Sequence, residues 1–197
     1  MTAVEERPRR ADALRNRARV VAAATELFAA RGLEVSVPEI AARAGVGKAT
    51  VYRSFPTKEH LVAAVVVERL ATFEADIRAA LVADEAWPAL VEVLCRQSEV
   101  LAADRALAGG LTQQIHLPAL EAARASMWEA LDALLARARE EGGMRADITA
   151  GDLRVLWAGM CRVLVGEEES DPAVWRRYAA LVAAAMRADG TPAPSSA

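Results

Sequence analysis

The sequence predicts an all-α protein of about nine helices: a small N-terminal head of short capped helices, then a larger helical body. Three observations carry this. Apolar residues recur at helical spacing instead of alternating. Alanine dominates the 54% apolar content while aromatics supply only 5%, a composition that suits close-packed helices better than sheets. No Asn-Gly or Asp-Gly pair joins two β-branched runs, as a hairpin would require.

Residues 1–11 are polar and Arg-rich with one Pro, and read as a flexible basic arm. From Asp12 to Arg31, Leu14, Ala18, Val21, Ala24 and Phe28 keep helical phase, and Gly32 ends the helix as a C′ residue. Ser36 with Glu39 forms a capping box, and Pro38 sits in the first turn, where its missing N–H costs nothing. The second helix therefore runs from about Val37 to Ala44 and stops at Gly45. Only Gly45-Val46-Gly47 separates it from KATVYRSF, which holds barely two turns before Pro56. Two short helices joined by a Gly-containing turn are the signature of a helix-turn-helix. Thr57 then caps a fourth helix from Lys58 to about Val82, with Leu61, Val65, Leu70, Phe73, Ile77 and Leu81 in phase.

The body follows as longer amphipathic helices, expected at Trp87–Ala103, Ala106–Leu111, Pro118–Arg139, Gly151–Val165 and Pro172–Ala188. Gly142-Gly143 and GEEESDP mark breaks, and Asp171-Pro172 marks a strong helix start. The tail 189–197 is low in complexity and reads as disordered. The domain expectation is thus 1–11 arm, 12–57 head, 58–188 body and 189–197 tail.

Charge is unevenly placed. Residues 1–60 hold eleven Lys+Arg against seven Asp+Glu, whereas the remainder holds thirteen against twenty. A basic head on an acidic body is expected where only the head meets a polyanion. No stretch reaches the eighteen or so uninterrupted apolar residues of a membrane span, and MTAVEERPRR has no secretory h-region. Cys95 and Cys161 lie in apolar helical stripes and read as buried thiols of a cytoplasmic protein. Two histidines and two cysteines, scattered without metal-ligand spacing, no nucleophile elbow and no phosphate-binding Gly loop argue against an enzyme, a metal or a cofactor.

The chemistry concentrates in AGVGKATVYRSFPTKEHL, which contains both lysines of the chain, Lys48 and Lys58. A helix-turn-helix lays its second helix in the major groove, N-terminal residues toward the base edges. Gly47 lets the backbone approach DNA, and Lys48 and Thr50 reach base edges or phosphates. Ala49 fits against a thymine methyl. Tyr52 and Arg53 donate to phosphate oxygens, fixing register. Lys58 adds its charge to the anion-attracting start of the fourth helix, and Ser36 is free to touch a phosphate. Val46, Val51 and Phe55 face the head interior. Arg7, Arg9 and Arg10 of the arm either enter the minor groove or solubilise the chain, and His60 reads as an exposed first-turn residue.

These residues carry a resemblance. The run RVVAAATELFAARGLEVSVPEIAARAGVGKATVYRSFPTKEHLVAAV is similar to the DNA-binding head of the tetracycline-repressor (TetR) family of bacterial transcriptional regulators. The Tyr52–Phe55 pair, the Ala44-Gly45-Val46 turn and the Thr57-Lys58-Glu59 cap stand where that family has them, and the match covers about residues 12–67. One departure is Gly47, where many relatives carry Ser. The resemblance implies a dimeric repressor of a palindromic double-stranded operator, released when a small molecule binds the body. The alternative is an activating or partner-binding regulator with no small-molecule inducer. The resemblance further implies that Tyr52 and Lys58 hold phosphates and that residues 48–50 contribute to base reading.

It also assigns the last two helices to a dimer interface, here Val155, Leu156, Gly159, Val163, Val174, Tyr178, Leu181, Val182 and Ala185. The middle helices are assigned to a ligand pocket, for which the wall residues are Trp87, Leu94, Cys95, Ser98, Met127, Trp128, Leu131, Trp157, Met160 and Cys161. Arg124 falls on the apolar phase of Leu120, Met127 and Leu131, where it would pair with an acidic ligand or an internal Glu. His116 is placed at the pocket mouth or at the junction with the head.

Overall fold

Eight α-helices and no β-strand make up the described residues, which in this computed structural model are 3–104 and 115–188, with side chains from Ala11 onward. They are α1 (Ala3–Arg31), α2 (Val37–Ala44), α3 (Lys48–Ser54), α4 (Lys58–Ala80), α5 (Ala86–Ala103), α6 (Pro118–Glu140), α7 (Ala150–Gly166) and α8 (Pro172–Met186). The all-α expectation is met, and the helix ends fall within about two residues of their predicted places from α2 onward. The helix expected at 106–111 and the tail 189–197 lie outside the described residues.

α1 begins at Ala3, inside the stretch that the sequence reads as a flexible basic arm. Ala, Glu and Arg are good helix formers and extend a helix already nucleated by the packed turns at Val20–Phe28, against the cost of Pro8, which has no N–H to donate inside α1.

The chain divides into two compact units. One takes in the chain to Glu68 together with 104–120, and the other takes in 69–103 and the chain from Glu121. In the first unit α1 packs on α2 and α3, and α2 packs on α3. Val20, Ala24, Phe28, Ile40, Val51, Phe55 and Leu61 are all at most 2% exposed and form its core. Short helices such as α2 and α3 gain most of their stability from this packing, and their ends are defined by local chemistry. Gly32 and Gly45 take left-handed φ values of 73° and 63°, where a Cβ would be strained. The Gly45 N–H closes α2 on Ala41 and Ala42 carbonyls. Leu14 departs from its phase: it lies on the predicted apolar stripe of α1 yet is 68% exposed.

The Ser36–Glu39 capping box is present in full. The Glu39 carboxylate accepts from the Ser36 N–H at 3.0 Å and from the Ser36 hydroxyl at 2.7 Å, and pairs with Arg31 at 2.8 Å. These bonds, those from Ser36 foremost, lower its pKa from the ordinary 4.5 to about 2. A depressed carboxylate stabilises the fold above its unfolded value, and that contribution is lost as pH falls from 4.5 toward 2. Thermal unfolding followed by circular dichroism should therefore show a melting temperature that drops more steeply across this window in the wild type than in Glu39→Gln. Equal slopes would remove the capping box as a source of acid sensitivity.

In the second unit α8 packs chiefly along α5 and also on α7. Trp175 anchors α8 at 1% exposure, its indole N–H donating to the Glu169 carbonyl at 3.0 Å. Arg176 reaches Glu92 at 2.8 Å and Glu99 at 3.2 Å, one guanidinium spanning two turns of α5. Arg137 on α6 donates to the carbonyls of Leu81 and Asp84, satisfying backbone acceptors just beyond α4. Glu141 accepts from the Ala86 N–H at 2.7 Å, where α5 begins. At Gly143 a Cβ would stand 2.5 Å from that of Trp87, so only glycine allows this loop to lie against α5. Two further helices carry tight caps that the sequence patterns did not predict or only partly predicted. Thr149 and Asp152 form a capping box on α7, and the Asp171 side chain accepts from the Ala173 N–H on α8.

Candidate nucleic-acid interface

The turn between α2 and α3 is built by two glycines with different tasks. Gly45 supplies the left-handed residue that stops α2, and Gly47 is an extended N-cap for α3. As expected from the missing hydroxyl, Gly47 makes no side-chain cap, at a cost of a few tenths of a kcal/mol. It faces open space, with nothing within 4 Å of where its Cβ would be.

The seven residues of α3 are divided between two faces. Val51 inside the helix and Phe55 at its C-cap are buried, and Val46 in the turn is half-buried. Lys48, Ala49, Tyr52 and Arg53 are exposed, with Thr50 half-buried beside them. Lys48 Nζ stands 5.7 Å from the Tyr52 ring centroid, a cation–π distance, so the two side chains are held together on the outer face. Arg53 reaches the Thr50 hydroxyl at 3.4 Å. Lys58 is half-buried in the first turn of α4, where Thr57 caps by accepting from the His60 N–H at 3.4 Å. The His60 ring is half-buried, with Nδ1 2.8 Å from the same hydroxyl, so it is less exposed than its place in a first turn predicts.

Charge pairing separates these side chains from their neighbours. Arg31 and Arg43 are neutralised by Glu39 and Glu26 at 2.8 and 2.5 Å. Among the described residues no carboxylate lies within ion-pair distance of Lys48, Arg53 or Lys58, which leaves three unpaired cations on α3 and at the start of α4. Ser36 is less available than expected. It is half-buried and its hydroxyl donates to the Glu39 carboxylate, so it faces a negative charge at its own cap.

Two residues that sequence reasoning missed hold α3 in place. Arg17 donates to the Ser54 carbonyl at 3.1 Å with its guanidinium 4.3 Å from the Phe55 ring centroid, and Arg19 donates to the Gly45 carbonyl at 3.3 Å. Both lie in α1, 37 and 26 residues from their partners, and no spacing pattern signals them.

The residues expected to line a ligand pocket are divided. His116 is exposed and belongs to the first unit, whereas the other eleven belong to the second. Leu94, Cys95 and Ser98 on α5, Met127 and Leu131 on α6, and Cys161 on α7 are buried. Trp87, Arg124, Trp128, Trp157 and Met160 are half-buried. Ser98 donates to the Cys95 carbonyl at 2.6 Å, a bond within its own helix. Trp128 lies under the Arg154 guanidinium at 5.8 Å. No ion pair to Arg124 is seen among the described residues. Both cysteines are free thiols, and burial pushes Cys161 up to about 12 and also raises Cys95.

The residues expected at a dimer interface form one apolar surface. Val155, Leu156, Val163, Tyr178 and Leu181 are 72, 41, 61, 39 and 53% exposed. Gly159 and Ala185 are also exposed, and Val174 and Val182 are half-buried. All but Val155 line a groove of about 580 Å³ between α7 and α8, into which Met160 also projects. No helix among the described residues is long and apolar enough to cross a membrane.

Comparison with known proteins agrees with the helix-turn-helix geometry. Residues 20–65 match the model of the bacterial regulatory proteins of the tetR family, and residues 85–188 match that of the SbtR-like transcriptional regulator C-terminal domain. A TetR transcription regulatory protein from Mycobacterium vanbaalenii is 40% identical, covering 80% of this chain and 97% of that one, with a TM-score of 0.59. A TetR transcriptional regulator from Streptomyces coelicolor is 28% identical over 87% of this chain and 98% of that one, with a TM-score of 0.63. The transcriptional regulator FadR from Bacillus subtilis, solved with stearoyl-CoA, shares the fold at 20% identity, with a TM-score of 0.66 over 85% and 98% of the two chains. No curated protein matches in sequence.

Proposed function

Because the chain belongs to the TetR family of bacterial transcriptional regulators and carries its helix-turn-helix head, we propose that it is a cytoplasmic, dimeric repressor of a palindromic operator, released when a small molecule binds the body. The observation that carries the DNA half of this reading is the set of three cations without carboxylate partners, Lys48, Arg53 and Lys58, with Lys48 held near the Tyr52 ring. Cations without carboxylate partners are the groups that release counterions on meeting phosphate. Lys48, Ala49 and Thr50, at the open N-terminal end of α3 after Gly47, supply base contacts. Tyr52, Arg53 and Lys58 supply phosphate contacts, and Ser36 joins them only if its hydroxyl leaves Glu39. Two heads are needed because one short helix reads few bases, and the exposed α7–α8 surface is where a second copy would bury its apolar area. In the body, half-buried Arg124, Trp128 and Trp157 offer a cation and aromatic surface to a ligand.

Salt-dependent gel shifts on the DNA upstream of the protein's own gene test this. Failure to bind any such fragment at low salt would overturn it. Lys58→Ala is expected to weaken binding to all sequences and to flatten the plot of log affinity against log salt by about 0.9 for each phosphate contact removed. Tyr52→Ala removes a neutral donor, so affinity should fall while the slope stays. A change in base preference at one position from either variant would contradict the phosphate assignment.

A further inference from the structure

The first unit contains a groove that DNA reading does not use. It has a volume of about 610 Å³ and lies between α1, the C-terminal end of α3, the first three turns of α4 and residues 117–119. That size falls within the range of small-molecule sites, roughly 300–1,000 Å³. Its walls are apolar, with Leu14, Val21, Phe55, Ala64 and Val67 among them. Leu14, in phase with the core yet 68% exposed, forms one wall of this groove.

The polar groups of the groove are few and unevenly placed. Arg17 is bonded to the Ser54 carbonyl and stacked on Phe55 just ahead of α4, and His60 lines the same groove from the first turn of α4. Glu68 lies eight residues along α4 from His60, about 12 Å at the helical rise. Arg17 spends one of its five N–H donors on the Ser54 carbonyl, and the others remain for a planar acceptor such as a carboxylate. His60 uses Nδ1 on Thr57, which leaves Nε2 for a second contact.

We propose that this groove binds a monocarboxylate with an extended apolar body, its carboxylate on Arg17 and His60 and its chain running along Ala64 and Val67. The occupant presses on Ser54 and Phe55, the two residues that end α3. Its effect on DNA affinity rests on the regulator reading above, whereas its binding does not.

The probe is decanoate, whose extended chain spans about the His60–Glu68 distance, with methyl decanoate as its uncharged counterpart. Full-length protein without DNA is titrated by calorimetry, and contacts are located by methyl nuclear Overhauser effects. Leu14→Asp and Arg17→Gln are the variants. Leu14 is exposed, so its replacement leaves the core intact, and far-ultraviolet circular dichroism checks both. Expected are contacts to the Leu14 and Val67 methyls, an affinity for decanoate weakened by about tenfold or more in each variant, and weaker binding of the ester. Contacts confined to Leu94 and Leu131 of the second unit, unchanged affinity in folded variants, equal binding of the ester, or no binding would each overturn the proposal. Because no operator enters the experiment, failure of DNA binding would leave its result unaffected.

Discussion

Trp175→Ala is expected to lower unfolding free energy by about 3–5 kcal/mol, the range for deleting a buried aromatic. Trp175 is the largest of the fully buried side chains, 1% exposed in the first turn of α8, and α8 packs along α5 as well as on α7. Removing the indole leaves a cavity and also strands the Glu169 carbonyl, which accepts its N–H at 3.0 Å. Trp175→Phe separates the two contributions. It refills most of the volume but still strands the carbonyl, so it should cost about 1–3 kcal/mol. Urea unfolding followed by circular dichroism measures both, and an Ala variant within about 1 kcal/mol of wild type would contradict the anchoring role.

Leu181→Arg is expected to convert the protein to a monomer and to weaken operator binding by about a hundredfold or more. Leu181 is 53% exposed and lines the α7–α8 groove, so a charge there is harmless to an isolated chain. In a two-fold interface each substitution occurs twice, and two guanidiniums would be desolvated without partners. The lost linkage of two heads accounts for the affinity, since joining weak sites gains about 10²–10⁴ through effective concentration. Analytical ultracentrifugation and gel shifts give the two readouts. A Leu181→Arg protein that remains dimeric would place the interface elsewhere, and a monomer that binds the full operator as tightly as wild type would remove the need for pairing.

The head was legible because its determinants are local. Ser36 and Glu39 stand three residues apart and form the expected cap, and Gly32 and Gly45 take the positive φ values expected where helices stop. The exposed face of α3 was equally readable, since Val51 and Phe55 define the buried side and leave Lys48, Tyr52 and Arg53 opposite. Patterns fixed on Glu or Gln at the third helical position overlooked Thr149 with Asp152, although the shorter carboxylate closes the same box at 2.8 Å. Helical phase also failed at Leu14, because phase reports which side of a helix a residue occupies and not whether anything covers it.

By itself the sequence determined the order of the helices, the turn that presents α3, and the side chains on its outer face. Each depends on backbone conformation and hydrogen bonds within about four residues, and neighbours along the chain decide those. Only the tertiary structure decided that Glu39 is also tied to Arg31, and that Arg17 and Arg19 brace α3 from α1. It likewise decided that Arg176 spans Glu92 and Glu99 across separations of 84 and 77 residues, and that Gly143 lies against Trp87. Contacts at such separations carry no periodicity, because packing between helices depends on which faces meet and not on how far apart they lie in the chain.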